Sequence, residues 1–449
     1  MSEAPGLPAT PDAGTKARVS WAFFDWAQQP YNMLVVGFVF GPWFVSGFYT
    51  DAVAGQSAYA TAIAATGLLI ALLSPPLGAA IDARRNPKTW LAALSVPFCI
   101  GCAGLWFAGP GLAPAIAPLI ILAMVTASVS TELSINAANS MLPYLAQPGR
   151  LGRLSGWSTG LGYFAALASI AAVLLLFTQP EQPWLGLDRG QGEDSRIAGP
   201  FAALWYLVFV LPLFFFVPRP PAGPPTSGRP FHELWITLRG LPGNRTMLFF
   251  LIGRLLVGEG MNAAGAFGPV LAKGLFGWTA AETGIFGLSL ALVAGISAAA
   301  AGLLDDLLGS KRTVLGFIAL LMVAAAGFGL VEADRLFFSV SVDPPRPRDG
   351  LFASWGERLY FGCGLLFGAA YGPIGAILRT WMARLAPPGE EGRWFGLYAF
   401  SGRAASFMAP ALIAVLTRAT GDQRVVVPVV LCFVLGGVFF LLRTPGTRA

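Results

Sequence analysis

Apolar residues in this chain do not keep to one helical face. They continue all round the helix for about twenty positions or more, then stop at short polar turns rich in Gly, Pro and Arg. Runs of that length match the ~20 residues that an α-helix needs to cross a bilayer core. Twelve can be drawn. The first half of the chain holds 19–48, 58–81, 89–109, 112–142, 154–178 and 199–217; the second holds 246–272, 280–304, 313–331, 355–380, 394–417 and 425–443. The pattern predicts an all-α polytopic membrane protein of two six-helix bundles, 19–217 and 246–443. The first run is too long for a signal-peptide core and lacks a cleavage site, so it is read as a spanning helix.

Three segments break the pattern. Residues 1–18 are polar and rich in Pro, Ala and Gly, and predict a disordered tail; 444–449 form a short second one. Between the bundles, 218–245 opens with a proline-rich linker. In it Phe231, Leu234, Trp235, Leu238 and Leu241 then recur at helical spacing, opposite His232, Glu233 and Arg239. That spacing predicts a short amphipathic helix lying on the inner leaflet, with a partner-docking helix as the alternative.

Composition narrows the class. Of 449 residues 55% are hydrophobic and 12% charged, where a soluble protein carries about a quarter charged. A net charge of +6 would point to nucleic acid in a soluble chain. Here the basic residues are thinly spread through the turns, and orientation in the membrane accounts for them without a nucleic-acid partner. With both termini inside, inner segments hold eighteen Lys and Arg residues and outer loops eight, which predicts cytoplasmic termini. Arg outnumbers Lys 25 to 4, a mark of a GC-rich bacterial genome, and so points to the plasma (inner) membrane. Cys99, Cys102, Cys363 and Cys432 all lie in apolar runs, and His232 is the only histidine, so no zinc site or histidine catalysis can be assembled. No Gly-rich phosphate loop with its lysine is present; neither ATP drive, a cofactor, a metal nor enzymatic chemistry is expected.

The two halves echo each other. Gly78-x-x-x-Asp82 followed by Arg84, Arg85 and Lys88 returns as Gly302-x-x-x-Asp306 followed by Lys311 and Arg312; Gly152-Arg153-x-x-Gly156 returns as Gly392-Arg393-x-x-Gly396. Matching signals in matching turns describe a parallel-repeat transporter. The chain here resembles the major facilitator superfamily, whose loop signature is similar to both Gly-x-x-x-Asp turns. Within it, three blocks resemble the vacuole-effluxer branch: Trp21 to Ala27 (WAFFDWA), Asn136 to Tyr163, and Phe395 to Pro410 (FGLYAFSGRAASFMAP). The resemblance implies the facilitator fold and a relation to fungal proteins that export amino acids during autophagy and to bacterial members without assigned substrates. It departs at Gln28-Gln29-Pro30, where an Asn-Ser pair is usual, and at Ala165-Ala166, where glycines are usual.

Ionisable groups inside the spans mark candidate chemistry, because a charge at membrane depth costs roughly 2.5–3.5 kcal/mol and normally faces protein or a water path. Arg254 and Glu259 lie ~140° apart on one helix and must find partners elsewhere. Measured from the inner helix ends, Asp25 is ~9 Å deep, Arg254 ~12 Å, Arg403 and Tyr371 ~14 Å, Glu132 ~15 Å and Glu259 ~20 Å. Most of these sit near the midplane, where such carriers bind substrate. Arg403 offers a planar fork for a carboxylate or phosphate. With Arg254, Asn32, Asn262, Tyr371 and Tyr163 it makes the candidate substrate site. Glu132, Glu259 and Asp25 are the candidate proton-coupling groups, with static ion pairs as the competing role. Asp82, Arg84, Asp306 and Lys311 are assigned to an inner gate, the carboxylates pairing with nearby bases and helix N-termini. The expected function is alternating-access transport of a small polar solute, an amino acid or similar zwitterion or anion, by a monomer. A multidrug-type proton antiporter and a non-transporting scaffold are the alternatives.

Overall fold

The computed structural model describes residues 13–180, 183–220, 230–332, 334–337, 339–342 and 350–446. Among them, twelve helices are long and apolar enough to cross a membrane. These are α1 Gly14–Phe48, α2 Ala54–Arg84, α3 Pro87–Phe107, α4 Ala115–Asn139, α5 Leu151–Thr178 and α6 Glu193–Phe216, then α7 Arg245–Phe276, α8 Glu282–Leu308, α9 Ser310–Gly329, α10 Trp355–Leu385, α11 Glu391–Thr420 and α12 Gln423–Arg443. The tail at residues 1–12, the proline-rich part of the linker at 221–229 and residues 447–449 lie outside the described residues.

Local chemistry sets several boundaries. Asn86 precedes Pro87 and accepts from the Thr89 amide, and Asn244 accepts from the Met247 amide, so side-chain oxygens start α3 and α7. Thr279 with Glu282, and Ser354 with Glu357, form reciprocal capping boxes ahead of α8 and α10. Two spans are irregular. The C-terminal half of α1 loosens into π-type turns at Tyr31–Phe38 and Phe44–Phe48, and the Tyr59 hydroxyl donates to the Val36 carbonyl there. In α11 the helix stops at Ala404 and restarts at Met408. The linker helix Pro230–Gly240 packs against α2, with Leu234 buried and Phe231, Trp235, Ile236 and Leu238 facing outward. A two-residue ribbon, Arg335–Leu336 against Val340–Ser341, sits between α9 and α10.

The most extensive helix–helix contacts cross between the halves, α5 with α8 and α2 with α11. Glycine makes this approach possible. A Cβ on Gly156 would lie 2.5 Å from the Ala298 carbonyl oxygen, and one on Gly396 would lie 2.5 Å from that of Ser74. Gly78 packs directly on the Gly392 backbone and Gly302 on that of Gly152. Within the C-terminal half, Gly364, Gly368 and Gly372 of α10 meet Phe286, Leu290 and Ala294 of α8 at four-residue spacing. Both Gly-x-x-x-Asp turns lie at one end of the molecule, the basic end, where Gly78 meets Gly392 and Gly302 meets Gly152.

Candidate functional site: an ion pair between the halves and the contacts beneath it

Midway along the bundle, Glu132 of α4 pairs with Arg403 of α11, one residue from each half. Their side chains stay 23% and 41% exposed, so the pair is only partly buried. Arg403 is also within electrostatic reach of Tyr371 on α10, whose hydroxyl donates to Asn262 Oδ1 on α7 at 3.3 Å. Tyr163 on α5 lies within electrostatic reach of Tyr371 in turn. Five helices thus bring together five of the residues singled out from the sequence: Arg403, Glu132, Tyr371, Asn262 and Tyr163. The cluster offers a planar cation, an anion, two phenols and an amide in one region of the bundle. Among the described residues no three His, Cys, Asp or Glu side chains gather to hold a metal ion.

Arg254 and Glu259 do something else. Arg254 donates to the Tyr398 carbonyl and to Ser401 Oγ (3.0 Å), and its guanidinium lies 3.7 Å over the Tyr398 ring. Gly402 leaves the room that this side chain fills. Five residues on, buried Glu259 accepts from the Ala409 amide at 3.3 Å, at the first turn of the restarted helix. The two charges that one helix holds too far apart to neutralise each other therefore grip α11 on either side of its break. Arg254, expected beside the substrate, has its described contacts with α11 instead. Asn32 donates to Gln28 one turn earlier on α1 (3.4 Å) and has no described contact with the Arg403 cluster.

At the basic end the two halves use one backbone device twice. Asp82 accepts from the Gly392 and Arg393 amides, both at 2.7 Å. Asp306 accepts from the Gly152 and Arg153 amides at 2.8 and 2.9 Å. Each carboxylate caps the exposed amides at the start of a helix in the other half, where the helix dipole favours negative charge. The bases assigned to them are elsewhere. Arg84 stacks over Trp90 at 5.6 Å, and Lys311 donates to the Leu442 and Thr444 carbonyls at the end of α12. Lys88 does the same for Phe214 and Val217 at the end of α6. These three cations hold their own halves together rather than bridging the two. The base that does reach Asp306 is Arg384, at 3.1 Å, which also pairs with Asp305 at 3.0 Å.

Asp25 finds a partner that sequence reading passed over. Arg379 of α10 donates to Asp25 Oδ2 (2.9 Å), Ser155 Oγ (2.9 Å), the Ser155 carbonyl (2.7 Å) and Thr159 Oγ1 (2.9 Å). Ser158 donates to the same Asp25 oxygen at 2.6 Å. Both Arg379 and Arg384 count in the sequence as inner basic residues, yet both are buried. The signal that would have found Arg379 is Asp25 itself, a carboxylate inside a span in need of a cation.

Known proteins agree with this architecture. The family model described as vacuole effluxer Atg22 like matches residues 45–449. Autophagy-related protein 22 of Cryptococcus neoformans is 25% identical over 61% of this chain and 46% of its own length, so the chain spans about half the length of that relative. The uncharacterized MFS-type transporter YxiO of Bacillus subtilis is 22% identical over 94% of this chain and 93% of its own. Among solved structures, a bacterial homologue of the iron transporter ferroportin in an outward-facing state superposes with a TM-score of 0.70 at 18% identity, covering 96% of this chain and 98% of its own. The proton:xylose symporter XylE gives a TM-score of 0.72 at 15% identity, covering 96% of each chain. At these identities the structures speak for the fold alone. With twelve spanning helices in two echoing bundles and a family model covering nearly all of them, this chain belongs to the vacuole effluxer Atg22-like family, on the major facilitator fold.

Proposed function

We propose that this membrane transporter carries a small zwitterion of the amino-acid class by alternating access, its two charged ends held by Arg403 and Glu132. One observation supports the reading above the rest: a cation and an anion, one on each half, pair midway along the bundle and stay partly exposed. A carboxylate on the guanidinium fork and an ammonium on Glu132 replace the ion pair with two of similar kind, so entry of the solute does not leave a buried charge unpaired. Tyr371, Asn262 and Tyr163 then face the body of the solute. Glu132 is the candidate for proton coupling, since it is the carboxylate in the solute's path. The basic end is read as cytoplasmic, in a bacterial plasma membrane; the family's vacuolar name is the competing placement.

Counterflow of labelled amino acids in proteoliposomes tests the proposal. Arg403→Lys keeps the charge and loses the fork, which is expected to slow exchange roughly tenfold, the worth of one charge-assisted hydrogen bond. Exchange of no amino acid by the wild type, with no thermal stabilisation by any of them, overturns it. Glu132→Gln is expected to remove any response to an imposed pH gradient; an equal response in that variant excludes Glu132 from coupling.

A further inference from the structure

The hydrogen bonds of Arg379 are lopsided. Every described acceptor of its guanidinium, Asp25, Ser155 and Thr159, belongs to the other half of the molecule. The socket is braced by further contacts. Trp21 lies 5.3 Å from the guanidinium and anchors its indole N–H on the Ala138 carbonyl at 2.7 Å. Ser158 braces Asp25, and Ser155 donates back to the Ala376 carbonyl of α10 at 2.8 Å. Arg379 and Asp25 are each 8% exposed. Arg379 also stands five residues before Arg384, hence ~7.5 Å further into the bundle than the contacts that cap the helix ends.

We infer that Arg379 is a bolt: the C-terminal half inserts it into a socket on the N-terminal half, and its withdrawal is a required step in opening the basic end. The inference rests on the alternating-access reading but not on the identity of the solute. A buried guanidinium that loses four hydrogen bonds together cannot slide out gradually, because each partial position leaves a desolvated charge unpaired. The bolt therefore gives the closed and open forms two discrete arrangements, as a switch between packed bodies requires. It also differs in kind from the carboxylate caps, which rest on backbone amides and lose one helix-end interaction each.

The test needs no substrate. Spin labels at Arg150→Cys and Leu307→Cys, both exposed near the basic ends of α5 and α8, report that opening by pulsed dipolar spectroscopy in lipid nanodiscs, in a chain whose four native cysteines are replaced. Arg379→Met is expected to raise the longer-distance population at least roughly tenfold, the worth of one lost charge-assisted hydrogen bond. Asp25→Asn shifts it in the same direction, and Arg379→Lys falls between, since an ammonium reaches Asp25 without the fork that serves Ser155 and Thr159. If Arg379→Met does not fold, Asp25→Asn decides. Unchanged distances in Asp25→Asn overturn the inference, as do melting points lowered in every variant with the distances unmoved, which would mark an ion pair that only stabilises. Failure of amino-acid counterflow leaves this measurement untouched.

Discussion

At the two crossings between the halves, α2 with α11 and α8 with α5, the backbone device is the same and the side chains around it are not. Asp82 and Asp306 cap their helices with nearly equal distances. Beside Asp82 stands Ile81; beside Asp306 stands Asp305, fully buried and paired with Arg384. The residue 240 positions before Arg384 is Tyr144, a neutral phenol whose buried hydroxyl makes no hydrogen bond among the described residues and whose pKa burial pushes up. The first helices differ as well. Asp25 touches Gly162 of α5, Arg254 touches Gly402 of α11, and the two glycines are again 240 residues apart. Equivalent places thus carry opposite charges. Asp25 receives a side chain from the far half, whereas Arg254 turns inward on its own. The repeat preserves geometry because close backbone approach demands it, while charge was free to diverge and now makes the two crossings unequal.

The largest effect should come from Arg384→Met, which leaves buried Asp305 without its ion-pair partner. A loss of about 3–5 kcal/mol is expected, read as a fall in melting temperature in detergent. Copying the other half's solution, Asp305→Ile with Arg384→Tyr, should recover stability to within about 1 kcal/mol of wild type, since an apolar replacement of a buried pair is often neutral. No recovery would show that the halves are not interchangeable at this point. Next come the glycines. Gly302→Ala and Gly78→Ala each place a methyl group against the facing backbone, for a cost of about 1–3 kcal/mol and a wider basic end in the dipolar measurement. Equal effects would confirm that the backbone device is shared. Smallest is the loss of charge at one cap: Asp82→Asn and Asp306→Asn should each cost about 0.3–1 kcal/mol. The two variants should widen the basic end alike, because each cap holds two backbone amides of the other half at nearly equal distances; a larger widening in one would mark its crossing as the weaker.

Much of this was legible in one dimension. Twelve apolar runs mark twelve spans because a bilayer core sets a minimum helix length, and the repeated Gly-x-x-x-Asp and Gly-Arg-x-x-Gly signals locate the crossings because only glycine admits such contact. Arg403, Glu132 and Tyr371 could be nominated as polar groups at similar depth, and Asn262 and Tyr163 as polar side chains inside spans. Helical spacing also showed that Arg254 and Glu259 must look beyond their own helix for partners. Their partners depended on rotation and proximity of helices far apart in the chain, which no local pattern encodes. Arg379 and Arg384 read as loop charges because a residue's place near a helix end says nothing of what packs over it. Whether a charge binds a solute, caps a helix or bolts two bodies together is set by what faces it across a few ångströms, and for this protein the folded chain alone decides that.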